Sequence, residues 1–200
     1  MRITPSDSWT WSYQSIKGQE YLGLYITLDN GQRYFFRTNL KVQQLAVFPE
    51  YGTPFCIRDA RLLTDYMNGL NAIGVQDNSS EHDVSINMEL ALNAVACTLF
   101  AGVPKRAFEH AFIPYTGAPF AINRGSVISL YFKDHRVSDF IVLDDVNDVS
   151  DGIFRLMFTN RELRIGKNIM SVGAVIKVPR SVIYPFRALS ANHSNSINYA

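Results

Sequence analysis

The apolar period of the chain changes once, and this change constrains the fold more than any other feature. Before residue 101, apolar residues recur at helical spacing in two segments, whereas from Ser126 onward they alternate with polar residues in short runs separated by turns. Helices followed by closely connected strands are typical of an α+β fold. The segment 111–125, which is rich in proline and glycine, marks the boundary between the two patterns.

Aromatic residues at alternate positions lie near the start of the chain. Trp9, Trp11 and Tyr13 share one face of a predicted strand, because side chains alternate across an extended backbone. We expect these rings to cover the protein's own core, and a surface for a binding partner is the alternative. Residues 21–29 and 33–39 flank an Asn-Gly pair and predict a β-hairpin, since that pair favours the positive φ angles of a tight turn.

Two helices are predicted after the hairpin. Residues 59–70 place apolar side chains on one stripe, which indicates an amphipathic helix. The polar segment 74–83 predicts a flexible loop, and Asp83 or Ser85 then caps a second helix that runs to about Phe100. Apolar residues surround most of this second helix, so we expect it in the middle of a domain.

Six short strands are predicted in the C-terminal half. Their tight connections favour antiparallel pairing in a small barrel or a strongly curved sheet, since closure removes exposed edges. The predicted strands cover residues 126–133, 137–143, 153–158, 162–165, 169–178 and 181–186. The expected organisation is an N-terminal α/β domain over 1–115, a C-terminal antiparallel β-barrel-like domain over 116–189, and a disordered tail over 190–200.

Composition and charge describe an ordinary globular chain. With 200 residues, 47% of them hydrophobic, the chain can bury one large core or two modest ones. A net charge of +1 provides no overall field that would attract nucleic acid or anionic lipid. We find no signal peptide and no apolar run long enough to span a membrane, so we expect a cytoplasmic protein. Cys56 and Cys97 are expected to be buried thiols.

No group of residues predicts catalysis or metal binding. The acidic stretch 144–152 lacks the ligand spacing of a calcium loop, and Cys56 lies in an apolar setting that does not activate a thiol. Phosphate-binding glycine loops and nucleophile elbows are absent from the sequence. We therefore expect a protein that is not an enzyme and holds no metal, cofactor or small-molecule substrate.

Several motifs in order along the chain resemble the ZapC family of Z-ring-associated cell-division proteins. The opening pattern Met-Arg-Ile-x-Pro-x-x-x-Trp-x-Trp-x-Tyr and the segment Phe55-Cys56-Ile57-x-Asp59-Ala60 are the most specific. Further matches are Asn30-Gly31 with Phe36-Arg37, Glu89-Leu90-x-Leu92-Asn93-Ala94, Pro104-Lys105, and Gly166 with Gly173-x-x-Ile176-Lys177.

The resemblance implies a non-enzymatic protein that binds the tubulin-like protein FtsZ, promotes bundling of its filaments and stabilises the Z-ring at midcell. It also implies a hydrophobic pocket in the N-terminal α/β domain and a charged surface on the C-terminal domain. Ile26 corresponds to the pocket lining of the family, and Lys105 to a basic position after the second helix. We expect Ile26 and Phe36 to anchor apolar side chains of the partner, and Lys105, Lys177 and Arg180 to bind its acidic residues. Gly102 and Val182 stand where the family has basic residues.

Two other functions remain open from the sequence. Small antiparallel barrels often bind single-stranded oligonucleotides, for which Tyr131 and Tyr184 would be the stacking residues. The second alternative is an enzyme whose active site is the N-terminal pocket.

Overall fold

Two antiparallel sheets, a separate hairpin and two helices make up the described part of the protein. The computed structural model describes residues 8–28, 30–74, 81–102, 111–160, 162–165 and 168–186, with the backbone alone at 73, 74, 81–85, 165 and 168. The helices are α1 (Ile57–Gly74) and α2 (Glu81–Phe100). The predicted α+β class is confirmed.

The strands divide between the two halves of the chain. The N-terminal strands are β1 (Thr10–Ile16), β2 (Gln19–Thr27), β3 (Arg33–Lys41) and β4 (Thr53–Pro54), in the sheet order β3-β2-β1-β4. The C-terminal strands are β5 (Val127–Tyr131), β6 (Val137–Val142), β7 (Ile153–Phe158), β8 (Glu162–Ile165), β9 (Asn168–Ser171), β10 (Val175–Pro179) and β11 (Tyr184–Pro185).

The predicted hairpin is confirmed as the antiparallel pair β2–β3. Its turn is closed by two hydrogen bonds, from the Gly31 N–H to the Leu28 carbonyl and from the Leu28 N–H to the Gln32 carbonyl, each 2.8 Å long. Gly31 has a φ of 79°, a left-handed conformation that glycine adopts without a steric penalty. These features are those of a three-residue hairpin loop with a glycine bulge.

Trp9 and Trp11 are buried in the N-terminal core, which confirms that the aromatic face of the first strand covers the protein's own interior. Both rings contact Phe55, with centroids 5.5 Å and 5.8 Å away, and Trp11 also meets Phe100 edge-on at 5.0 Å. The N-terminal core therefore joins β1, the segment before α1 and the end of α2.

Both predicted helices are present, and both are longer than expected. Helix α1 begins two residues before 59 and continues to Gly74, while α2 begins at Glu81. The prediction of a loop over 74–83 is therefore wrong at its two ends, and residues 75–80 lie outside the described residues. The predicted tail, 190–200, also lies outside them.

The C-terminal strands differ from prediction in two places. Residues 169–178 form two strands, because a turn at Gly173, with a φ of 82°, separates β9 from β10. Within 181–186 only Tyr184–Pro185 is a strand, and a 3-10 turn over Arg180–Val182 precedes it. The described strands form an open five-stranded sheet, β10-β7-β6-β5-β11, and the hairpin β8–β9. They do not close, so the term barrel-like is loose.

Strands β6 and β7 contribute to two cores. Ile141 and Met157 pack into the N-terminal core, whereas Phe140, Leu156 and Phe158 point to the other face, into a second core. This alternation follows from the two-residue repeat of a strand. The five-stranded sheet therefore separates the two cores and belongs to both.

The two cysteines differ in exposure. Cys97 is buried as predicted, but Cys56 is exposed, so the prediction of a buried thiol at Cys56 is wrong. Cys56 immediately precedes the first residue of α1, where its side chain lies at the surface and its backbone N–H is bound by Asp59. Both cysteines are free thiols.

Candidate functional site

Ile26 and Phe36 lie on neighbouring strands at the margin of the N-terminal core. Ile26 pairs with Tyr34, and Phe36 pairs with Leu24 one step further along the hairpin. Only 3% of Ile26 is exposed, while Phe36 is partly buried and Tyr34 is 59% exposed. We define the apolar strip as Ile26, Tyr34 and Phe36. A partner that approached it would first contact Tyr34 and the exposed part of Phe36.

Lys177 and Arg155 are cross-strand neighbours on β10 and β7. Arg155 is neutralised by Asp144, which accepts a hydrogen bond from Arg155 Nε at 2.6 Å and another from the Arg155 backbone N–H. Among the described residues, Lys177 has no carboxylate within salt-bridge distance. Its charge is therefore available to an external acidic group.

Arg180 has contacts that differ from those of Lys177. Its guanidinium donates hydrogen bonds to the carbonyls of Phe120, at 2.7 Å, and Ile183, at 3.4 Å. It also lies 4.1 Å from the centroid of the Phe120 ring. Burial lowers the pKa of Arg180 from its ordinary value, because desolvation disfavours the charged form. The Arg180 guanidinium therefore already contacts groups of the protein itself, which leaves fewer of its N–H groups to bind a partner.

The structure brings the predicted site residues together in pairs. Ile26 lies near Phe36 across the hairpin, and Lys177 lies three residues before Arg180. Among the described residues, no hydrogen bond, ion pair or ring contact connects the apolar pair to the basic pair. Lys105 lies outside the described residues.

A buried carboxylate that the sequence did not single out as a site joins the two most specific motifs. Asp59 is 2% exposed and accepts hydrogen bonds from Trp11 Nε1 at 3.1 Å and from the Cys56 backbone N–H at 3.2 Å. Asp59 is the third residue of α1, so the second bond is the N-terminal capping interaction expected of an acidic residue there. An acidic residue at the third position of a helix is a capping signal that the sequence shows. The bond to Trp11, which lies 48 residues away, has no such signal in the sequence.

Tyr131 and Tyr184 belong to an aromatic cluster with Tyr115. The ring of Tyr184 lies 4.4 Å from that of Tyr131 and 4.9 Å from that of Tyr115. The cluster borders a cavity of about 210 Å³ whose lining residues carry no charge. A site for single-stranded nucleic acid combines stacking rings with basic groups along the backbone, so this cavity disfavours the oligonucleotide alternative.

A wider groove of about 470 Å³ lies between α1 and the loop before β5. Gly69 and Gly125 meet on its floor so closely that a Cβ at Gly69 would overlap the Gly125 carbonyl oxygen. Asp65 and Arg124 supply the charged groups of its lining. Sequence patterns did not predict this groove, because it depends on contact between elements more than 50 residues apart.

A family model described as "Cell-division protein ZapC, N-terminal" matches residues 2–101, the part of the chain that contains the aromatic strand, the hairpin and both helices. The chain belongs to the ZapC family. The match includes Asp59 and both tryptophans, so the unit that connects the two motifs lies within the family region of the chain.

Three ZapC relatives extend this comparison. The chain is 31% identical over 124 residues to "Cell division protein ZapC" of Aeromonas hydrophila, an alignment that covers 59% of this chain and 62% of the relative. That alignment spans less than two thirds of the Aeromonas protein. Identity to the ZapC of Musicola paradisiaca is 21% over 200 residues (100% of this chain, 98% of the relative), and to that of Vibrio vulnificus 25% over 178 residues (88% of each).

Within the described part of the chain, no helix combines the length and the hydropathy needed to cross a membrane.

Proposed function

We propose that this ZapC-family protein binds FtsZ, promotes bundling of its filaments and stabilises the Z-ring at midcell in the cytoplasm. The observation that carries the proposal is the match of the ZapC N-terminal model to residues 2–101. We propose further that the protein is not an enzyme, and that its activity consists of protein–protein contacts.

The apolar strip and the C-terminal basic residues support two kinds of contact with FtsZ. Tyr34 and Phe36 offer partly exposed rings beside the buried Ile26, a combination suited to an apolar anchor of the partner. Lys177 offers a cation without a carboxylate partner among the described residues. Arg180 and Lys105 remain proposed contacts, and Arg180 would also support the Phe120 segment.

Co-sedimentation with FtsZ polymer tests the proposal. We expect the wild-type protein to pellet with polymer and Tyr34→Glu to pellet less, because a charge at the edge of the strip opposes apolar contact. Ile26→Glu should also reduce pelleting, but it places a charge in the N-terminal core and could unfold it, so Tyr34→Glu is the more informative variant. Tyr51→Glu, at an exposed loop position, is the matched control.

The basic contact is tested separately by charge reversal. Lys177→Glu should weaken pelleting and reduce its salt dependence, since the lost interaction is electrostatic. Lys133→Glu is the control, because Lys133 is an exposed lysine of the same half that follows β5, three strands from β10. Equal pelleting of Tyr34→Glu, Lys177→Glu, their two control variants and the wild type would contradict the proposed contacts. Absence of pelleting of the wild type would contradict FtsZ binding itself.

A further inference from the structure

The outer face of the N-terminal sheet, which we define as the face opposite the N-terminal core, carries aromatic rings and arginines. Tyr21 and Tyr25 of β2 alternate with the core residues of that strand, and Arg33, Phe35 and Arg37 lie beside them on β3. The Arg33 guanidinium lies 4.8 Å from the ring centroid of Tyr25, and that of Arg37 lies 5.1 Å from Tyr21. The rings hold both cations on this face.

Among the residues that the structure describes, the outer face carries positive charge and no carboxylate. Alternation along β1, β2 and β3 places no described Asp or Glu on it, and Glu20 falls on the opposite side, where its charge helps to raise the pKa of Tyr13 after the larger effect of burial. In the described part of the chain, Arg33 and Arg37 form no ion pair. The face is therefore complementary to a ligand with two acidic groups.

The apolar centre of the face is held in a fixed position. Phe35 lies directly over Gly23, so closely that a Cβ at Gly23 would overlap the Phe35 ring. The ring also meets Tyr25 edge-on, with centroids 5.0 Å apart. A flat apolar residue thus lies between the two arginines, one position from each along the same face of β3.

Strand β3 is at the edge of the sheet, and no other described strand pairs with its outer side. Leu28 and Gln32 form a hydrogen-bonded pair, and such pairs alternate with pairs that are not hydrogen-bonded along an antiparallel hairpin. The backbone N–H and C=O groups of Tyr34 and Phe36 therefore point towards β2. Those of Arg33, Phe35 and Arg37 point away from the sheet. Further along, the outward N–H of Asn39 is occupied by Asn93 Oδ1 at 2.7 Å. Helix α2 thus covers one end of the edge, and within the described part of the chain no backbone hydrogen bond occupies the outward side of residues 33–37.

We propose that the edge of β3 and the outer face bind an extended acidic segment of another protein, which adds to the sheet as an antiparallel strand. Two acidic residues of the segment lie opposite Arg33 and Arg37, and an apolar residue between them lies opposite Phe35. Backbone hydrogen bonds supply affinity and alternate side chains supply specificity. This surface is separate from the apolar strip and from Lys177, and the inference goes beyond FtsZ binding.

Nucleic acid is the less favoured occupant of the outer face. Base stacking requires free aromatic faces, and the two tyrosine rings are already covered by guanidinium groups. The open backbone edge offers hydrogen bonds that an extended peptide satisfies and a base stack does not. The two arginines that flank Phe35 also match the spacing of acidic residues in a short extended motif.

A labelled peptide, acetyl-Thr-Glu-Thr-Val-Thr-Glu-Thr-amide, tests the proposal by fluorescence anisotropy with the full chain. We expect saturable binding that weakens with salt, and a loss of at least about tenfold for the Arg33→Glu/Arg37→Glu variant. Arg61→Glu, an exposed arginine on α1 at the other side of the sheet, should change affinity by less than about twofold. Circular dichroism and the urea midpoint check that each variant is folded.

Peptide methylation separates strand addition from simple charge attraction. N-methylation of the valine removes a hydrogen bond to β3 and should abolish binding. The N–H of the threonine before it points away from β3, so N-methylation of that threonine should leave binding unchanged. Failure of the unmodified peptide to bind, equal binding of the two methylated peptides, or binding of a lysine-for-glutamate peptide as tight as that of the unmodified peptide would overturn the proposal. Competition by a thymidine oligonucleotide but not by unlabelled peptide would assign the face to nucleic acid instead.

Discussion

The carboxylate of Asp59 is predicted to stabilise the protein by about 3 kcal/mol. Asp59→Ala removes the acceptor of Trp11 Nε1–H and of the Cys56 N–H. Trp11 is 1% exposed, so its indole N–H would be buried without a partner, which costs about 2 kcal/mol. Loss of the capping bond at α1 adds about 1 kcal/mol. In a chain of this length, the combined effect lowers Tm by roughly 9 °C.

Urea unfolding followed by far-ultraviolet circular dichroism measures this loss. Asp65→Ala is the matched control, because Asp65 is an exposed acidic residue of the same helix, and it should change the free energy of unfolding by less than about 0.5 kcal/mol. A double-mutant cycle of Asp59→Ala with Trp11→Phe should give a coupling energy of about 1.5 kcal/mol. Additive effects of the two substitutions, or an Asp59→Ala variant as stable as wild type with an unchanged m-value, would refute the reasoning.

Three further predictions concern the contact between the two halves and the second sheet. Gly69→Ala should destabilise by about 3 kcal/mol in urea unfolding despite alanine's higher helix propensity, because the new methyl overlaps the Gly125 carbonyl; a stabilised variant would show that the contact is not maintained. Tyr66→Phe should cost about 1.5 kcal/mol, since its buried hydroxyl bonds to α2 and to a carbonyl after β6; wild-type stability would disprove these bonds. Burial raises the pKa of Asp139, although a hydrogen bond from the Ser129 hydroxyl opposes this shift. The protonated Asp139 carboxyl therefore stabilises the folded protein below the ordinary pKa of aspartate, and this stabilisation is lost as pH rises through the raised pKa. Asp139→Asn should therefore gain stability over wild type as pH rises from 3 to 7, and a difference that is constant with pH would contradict this.

The elements that local patterns specify were predicted correctly. The β2–β3 hairpin, both helices and most C-terminal strands follow from apolar period and turn residues within each segment. The split of residues 169–178 did not follow, because the turn at Gly173 packs against Asn39 and receives a weak hydrogen bond from Cys97. Such long-range contacts leave no periodic signal in the sequence.

The sequence predicts which types of residue form the candidate site, but not which of their side chains are free to contact a partner. From the sequence, Lys177 and Arg180 are both basic residues of one predicted site. In the structure, Lys177 has no ion-pair partner among the described residues, whereas the Arg180 guanidinium donates hydrogen bonds to two carbonyls. Similarly, Ile26 was chosen as a contact by resemblance, and its burial makes Tyr34 the first residue a partner would meet. Solvent exposure depends on the whole fold, which the order of residues does not reveal directly.

The sheet shared by the two cores has a mechanical consequence. Strands β6 and β7 bury one face in each core, so neither core can open without removing a wall of the other. The boundary within 111–125 stays a prediction of the sequence, but a chain cut there would leave the N-terminal core without Ile141 and Met157. A load applied to the N-terminal sheet would therefore be transmitted through this wall to the C-terminal strands, and the two halves should resist bending relative to each other.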